Sequence, residues 1–477
     1  MLDYLLQLLQ FVWSWIVSYF FGPVITMDDT GIRVRCQNQI AEGGFSVIFL
    51  ATDVDDRTAT TTSTSRNKYV LKRIRCHDSE SRSACVKESK VHYAMQKKQR
   101  QQQHQKNGGN IIAAGGGGGR EGGIPSTTTE STNDSLSSHF MPLLGTTFSE
   151  NNTVCYMLFP YISHSLKKEI DRRIFQPFEE MTNGNNRSTI SSQSQKNKII
   201  RDALTMPPWS ETVVLRWFEQ LIDAVILMHD AGYTHRDIKI DNVLLHPEPL
   251  VANNNNYSCS NSQSGPGPIL MDFGSAGPLT RPLTRRRDVL DIADDAAVHT
   301  TISYRPPELF AGELRVADSS AISSSTSTGS NDNDDDDNDD VVNHELVLDY
   351  RKVDVWMLGC TLFAILFGAS PGEVEFSRST GKLIIVDPSH NKVLGSLPWP
   401  NDETPPAHWY SKDVKELLEW ILTQSRCDRP TVTQVRIRVR ELLSQQPTFF
   451  HDDGDGRMAT DLENQHVDIS FASKNIL

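Results

Sequence analysis

Apolar and polar positions divide this chain into blocks of unlike period. Residues 4–27 form a nearly unbroken apolar run without a charge, and Gly22-Pro23 marks where a helix there would end. Apolar, β-branched stretches at 32–40 and 47–50 predict a hairpin. Tyr69-Val70-Leu71-Lys72-Arg73-Ile74 predicts a further strand, and 141–148 and 154–158 two more. Val214, Phe218, Leu221, Val225 and Met228 recur at helical spacing across 213–229, giving one buried stripe. A second apolar helix is expected over 354–367.

Four tracts fit neither period. Residues 97–137 are rich in Gln, Gly, Ser and Thr and include five consecutive glycines from Gly115 to Gly119. Residues 176–205 and 252–266 are similar, and 316–340 ends in a run of Asn and Asp. Such compositions cannot bury enough apolar surface to order a chain, so all four are expected as flexible insertions, and 446–477 as a disordered acidic tail. Seven aspartates between Asp332 and Asp340 supply over half of the net charge of −13, so the acidity belongs to a linker. That balance disfavours nucleic-acid binding. A calcium loop is disfavoured because no glycine-centred turn with a terminal Glu follows. Seven scattered cysteines show no C-x-x-C spacing, so neither a zinc site nor a disulfide framework is indicated, and a reducing, cytosolic setting fits.

The chemistry concentrates in Thr234-His235-Arg236-Asp237-Ile238-Lys239-Ile240-Asp241-Asn242 and, thirty residues on, Asp272-Phe273-Gly274. Together they describe phosphoryl transfer from ATP: Asp237 accepting the proton of an attacking hydroxyl, Asn242 and Asp272 holding magnesium. Upstream, Ala41-Glu42-Gly43-Gly44-Phe45-Ser46 lies between the hairpin strands, where a phosphate-covering glycine loop belongs. Lys72 is placed to reach the α- and β-phosphates, with Glu88 16 residues further on as its ion-pair partner. Downstream come Pro306-Pro307-Glu308, Asp354-Val355-Trp356 and Arg429-Pro430. Each motif alone is weak, but their order across the chain is not a chance arrangement. Ala41 and Ser46 stand at the first and third glycine positions of the loop. They are the one support for a competing reading as a catalytically silent scaffold.

These residues resemble the eukaryotic protein kinase family over residues 30–445. Glu42-Gly43-Gly44-Phe45-Ser46, Leu71-Lys72-Arg73-Ile74-Arg75-Cys76-His77 and Thr301-Ile302-Ser303-Tyr304-Arg305 are most similar to the Numb-associated kinases, where Ser at the third glycine position is ordinary. The resemblance implies an α+β, bilobal kinase fold, with a small β-rich lobe and a larger helical lobe. It implies ATP and Mg2+ as cofactors and protein Ser/Thr hydroxyls as acceptors. By the same resemblance Ala41, Gly43, Gly44 and Ser46 cover the nucleotide, Lys72 and Glu88 anchor it, and Tyr161 and Ile162 line the hinge after a gatekeeper, Phe159. Lys239 sits on the γ-phosphate and marks the Ser/Thr class, and Thr301 contacts Asp237. Arg236 ties the catalytic loop to the activation segment, and Arg429 pairs with Glu308. Thr301 and Pro306-Pro307-Glu308 serve peptide substrates and so disfavour a small-molecule kinase. Within the activation segment, Thr284-Arg285-Arg286-Arg287-Asp288 reads as a solvated charged loop, or more sharply as a basic dock for acidic substrates.

Residues 1–26 are expected as a membrane-anchor helix. Some 20 apolar residues cross a hydrocarbon core, and Asp3, Gln7, Gln10, Ser14 and Ser18 fall on one narrow stripe. Spanning and half-inserted arrangements both fit. Arg33 and Arg35 follow the segment, which puts the catalytic domain on the cytosolic side. Position 2 is Leu, which excludes the myristoylation that holds kinases of the resembling group on endomembranes such as the Golgi. A protein helix would do that lipid's work, with a trafficking role implied by resemblance only.

Overall fold

The computed structural model describes residues 22–43, 46–54, 68–111, 139–149, 151–175, 207–246, 267–283, 285–310, 347–376, 383–385, 397–400, 402 and 405–445. Six antiparallel strands form one sheet: β1 (Val24–Thr26), β2 (Arg33–Glu42), β3 (Ser46–Asp53), β4 (Lys68–Arg75), β5 (Gly145–Phe148) and β6 (Val154–Pro160), in the order β1-β2-β3-β4-β6-β5. Helix α1 (Ser79–Ile111) packs on this sheet. It begins where the Asp78 carboxylate accepts the Ser81 amide at 2.7 Å, satisfying one of the unpaired donors of the first turn. Cys85, Glu88, Val91, His92 and Met95 lie buried at three- and four-residue spacing and form its inner face.

The larger half is helical: α2 (Leu166–Ile170), α3 (Glu211–Asp230), then the ribbon β7 (Val243–Leu245) and β8 (Pro268–Leu270), then β9 (Thr280–Pro282) and α4 (Arg286–His299). Strand β10 (Val347–Asp349) runs antiparallel to β9 and leads into α5 (Tyr350–Phe367). Asp349 caps α5 through the Arg351 amide at 2.9 Å, and Gly368 ends it in the left-handed conformation. Helices α6 (Lys412–Ile421) and α7 (Val432–Gln445) close this half. Helix α5 is buried on nearly every side, so its continuous apolar sequence is what a core helix requires. One large apolar cluster joins α3, α5, α6 and α7, whereas the sheet half holds two smaller ones.

Three expectations need correction. The apolar helix expected over 1–26 cannot include its last residues: Val24–Thr26 is an edge strand paired with β2, and Met27 is fully buried. Residues 1–21 lie outside the described residues, and among those described no helix is long and apolar enough to cross a membrane. The tract from residue 97 begins as helix, because α1 runs through Gln- and Lys-rich sequence to Ile111; unbranched polar side chains favour a helix even where they bury nothing. Arg286 and Arg287 open α4 instead of a loop, with the Arg285 amide held by the Asp288 carboxylate at 2.7 Å. The tail 446–477, the tract 316–340, and the expected insertions at 112–137, 176–205 and 252–266 fall outside the described residues.

Candidate functional site

The site lies where the sheet meets the helical half. Register places Lys72 in mid-strand, opposite Ile48 on β3 and Met157 on β6. Its ammonium donates to Glu88 Oε1 at 2.7 Å and to Asp272 Oδ1 at 2.8 Å, joining β4, α1 and the segment after β8 at one point. Burial alone would lower the Lys72 pKa; the two carboxylates outweigh it and hold the ammonium above its ordinary range. Burial pushes Glu88 up, against the pull of Lys72. Chiefly the Lys72 charge holds Asp272 well below the usual carboxylate range. Asp272 adopts φ +66°, uncommon for a residue with a side chain, and accepts the Gly274 amide through Oδ1. No described residue engages its Oδ2.

Below the cleft the loop over residues 234–242 hangs from one buried carboxylate. Asp354, fully buried on α5, accepts the amides of His235 at 2.9 Å and Arg236 at 2.8 Å, and contacts His229 Nε2 at 2.9 Å. This fixes the chain on the amino-terminal side of Asp237. On the other side Asn242 Nδ2 donates to the Asp237 carbonyl at 2.8 Å and to its Oδ2 at 3.1 Å. Asp237 Oδ1 accepts the Thr301 hydroxyl at 2.7 Å and its amide at 3.1 Å, while Lys239 lies 2.8 Å from Oδ2 and donates to Thr301 at 2.6 Å. Asp237, Lys239, Thr301 and Asn242, more than 60 residues apart at the extremes, thus form one constellation.

A vertical stack joins the halves. The Phe273 ring packs on His92 of α1 at 4.5 Å and on His235 at 5.7 Å, and His92 also meets Phe159 at 5.1 Å. Burial depresses the His92 pKa to about 3, leaving the ring neutral at ordinary pH. Its Nδ1 faces the Met141 carbonyl at 3.2 Å. Farther out, Arg429 makes a bidentate pair with Glu308 at 2.6 and 2.9 Å and covers the Trp356 ring.

The side expected to cover a nucleotide is less uniform. The Gly43 amide closes the hairpin turn on the Ser46 carbonyl at 2.8 Å, with Ala41 opposite Ile48, whereas Gly44 lies outside the described residues. In the hinge the Tyr161 amide already donates to the Lys68 carbonyl at 3.2 Å, and the half-exposed ring turns toward the Lys68 ammonium. Tyr161 therefore offers a ligand no amide; no described residue engages the amide of Ile162. Phe159 is buried behind the hinge, among Cys155, Met157 and Ile269.

Asp272 Oδ2 and the Asn242 amide oxygen are hard donors left without a described partner. Among the described residues no group of three or more His, Cys, Asp or Glu could hold a metal. Two such oxygens suit a cation such as Mg2+, which binds through one or two protein oxygens plus phosphate and water, and do not suit zinc. Asp354 and His92 were not singled out as site residues from sequence, although Asp354 opens a recognised motif. The signal for His92 would have been its position one turn after Glu88.

No family model matches the chain. A probable serine/threonine-protein kinase of Dictyostelium discoideum is 24% identical over 413 residues, covering 86% of this chain and 24% of that protein. Serine/threonine-protein kinase 16 of Homo sapiens is 28% identical over 220 residues, 46% of this chain and 52% of that protein. Serine/threonine-protein kinase ENV7 of Saccharomyces cerevisiae is 24% identical over 352 residues, covering 72% of this chain and 76% of that protein. The chain thus spans only a quarter to a half of the length of the first two.

Proposed function

We infer that this chain, a member of the serine/threonine protein kinases, transfers the terminal phosphoryl group of ATP to serine and threonine hydroxyls of proteins. The observation that carries the reading is the Asp237 carboxylate, clamped by Thr301, Lys239 and Asn242, beneath a lysine joined to both Glu88 and Asp272. Phosphoryl transfer needs little covalent chemistry from a protein, so placement and charge carry the rate. Asp237 orients the acceptor hydroxyl and takes its proton as the oxygen attacks. Lys239 neutralises charge on the group in transit, and Thr301 keeps the carboxylate aimed. Lys72, fixed by Glu88, anchors the α- and β-phosphates, with Ala41, Gly43, Gly44 and Ser46 as the cover and the hinge at Ile162 as the adenine contact. Asp272 and Asn242 would hold Mg2+, which when bound would supply neutralisation of phosphate charge.

The test is transfer of labelled phosphate from ATP to a mixed Ser/Thr peptide pool. Transfer is expected in the intact protein, stops when magnesium is chelated, and is absent in Asp237→Ala. Equal labelling by Asp237→Ala and the parent would refute the assignment.

The same inference extends to place. The uncharged stretch over residues 4–21 and the Arg33 and Arg35 that follow it support a membrane tether with the catalytic domain on the cytosolic side of an endomembrane. A trafficking role and kinship with the Numb-associated group belong to this proposal. Met27 is buried, and Asp28 and Asp29 accept hydrogen bonds from Thr147 and Thr146. The fold therefore begins before residue 27, and a deletion meant to release the kinase from membranes should stop at residue 21. Continued pelleting of that truncation after a carbonate wash would refute the tether.

A further inference from the structure

The Arg236 side chain is not used in the chemistry above, yet it is almost wholly enclosed. Its backbone takes φ +66°, and its side chain is only 8% exposed. Nε donates to the Ser275 carbonyl at 2.7 Å, and the guanidinium lies over the Tyr350 ring at 5.2 Å. A Cβ on Gly277 would fall 2.8 Å from Nε, so that position must be glycine for the arginine to lie where it does. A guanidinium this enclosed costs free energy unless an anion meets it. The anion is Asp295 of α4, whose Oδ2 accepts from Nη1 at 2.7 Å. His299, one turn on, lies 3.7 Å from the other carboxylate oxygen. Lys87, the residue before Glu88 on α1, feels the charge of both Arg236 and Asp295.

One carboxylate thus pairs with the Arg236 guanidinium of the catalytic loop, beside the His299 imidazole of the activation segment and Lys87 on the helix that carries Glu88. Protein kinases commonly fill such a position with a phosphate added to the activation segment, which orders that segment by pairing with arginine. We propose that Asp295 is a positioning residue that supplies this anion permanently, locking α4 to the catalytic loop so that Asp237 is aimed without phosphorylation of the activation segment. The inference rests on the kinase assignment and adds to it the residue that assembles the site. Arg305 strengthens the same arrangement by donating to the carbonyls of Ala296 and Thr300 at the end of α4.

The experiment uses the full chain made in bacteria, treated with a broad phosphatase and checked for complete dephosphorylation by mass spectrometry. Steady-state rates are measured with Mg-ATP and the mixed peptide pool. The dephosphorylated parent keeps its kcat to within about two-fold, and Asp295→Asn loses about 10- to 100-fold in kcat with little change in KM for ATP. Asp295→Glu, which keeps the charge, recovers most of the loss. A merely structural aspartate would not divide kcat from KM in this way, nor be rescued by charge. Unchanged kcat in Asp295→Asn, or loss of the parent's activity on dephosphorylation, overturns the proposal. If the parent turns over no faster than Asp237→Ala, the kinase assignment fails instead. Hydrogen exchange over residues 234–238 and 272–277 then decides the lock independently: faster exchange in Asp295→Asn supports it, and identical exchange overturns it.

Discussion

The upper and lower halves of the cleft hold their functional groups by different means. Above, Lys72, Glu88 and Asp272 come from a strand, a helix and a loop, and ion pairs join them beside the packing of Phe273 on His92. Below, Asp237 stands on a loop whose backbone amides are fixed to the buried Asp354, with Asn242 and Thr301 closing around it. The sheet that carries Lys72 rests on two small apolar clusters and the helical half on one large one, which also takes in Val91 and Met95 of α1 and Phe273. Charges paired across separate elements can part when an element moves, whereas backbone donors on a buried carboxylate cannot part without exposing unsatisfied groups. Asp237, the proposed base, is therefore built as a fixed part of the fold and Lys72, the proposed nucleotide anchor, as an adjustable one.

Substitutions can break this contrast. The largest effect falls on Asp237→Ala, which should cost about 10²- to 10⁴-fold in kcat with the melting temperature unchanged, read from initial rates and calorimetry. Asp354→Ala should act on folding: it strips the His235 and Arg236 amides of their acceptor, and denaturant titration should show a loss of about 3 kcal/mol. If Asp354→Ala proved as stable as the parent, the lower half would not be the fixed one. Lys72→Met should lower kcat/KM for ATP by about 10²-fold while costing less stability than Asp354→Ala, since the Glu88 carboxylate it strands can take up a proton, whereas stranded amides cannot be relieved. A fall in stability there as large as that of Asp354→Ala would erase the distinction between the halves.

The smallest effect concerns pH and lies between the two halves, at His92. Its folded pKa of about 3 lies below the ordinary histidine value of 6.5. Between those values the unfolded chain binds a proton that the folded chain refuses, so stability falls as pH drops through that window. His92→Leu removes this contribution. Urea titrations at pH 7.5 and 4.5 should show the parent losing about 2 kcal/mol more than the variant over that interval.

Much of the lower half was legible in sequence because its groups sit within one short motif, and spacing alone joined Lys72 to Glu88. What escaped depends on contacts between distant positions. Asp354 meets Arg236 across 118 residues, and no local pattern announces that a helix-opening aspartate will hold another segment's amides. His92 reads as one more polar residue on α1 until Phe273 and Phe159 are packed around it. Polarity misled twice: the Gln- and Lys-rich end of α1 was taken as flexible, and three arginines were taken as loop where Asp288 starts a helix. Apolarity misled once, because a continuous hydrophobic run does not separate helix from strand, and Val24–Thr26 joined the sheet. Tyr161 was named without regard to its amide, which the sheet edge had already claimed.

The pairing of β9 with β10 has a consequence for engineering. Thr280–Pro282 and Val347–Asp349 are hydrogen-bonded neighbours, so the polypeptide leaving one and returning at the other is a closed excursion from a fixed doorway. Widening such an excursion is a logarithmic matter, about 0.6 kcal/mol for each doubling of its length. A reporter domain spliced beyond Phe310, after the contacts of Glu308, would hang from the same doorway, and the chemistry a few residues inside it would run as before.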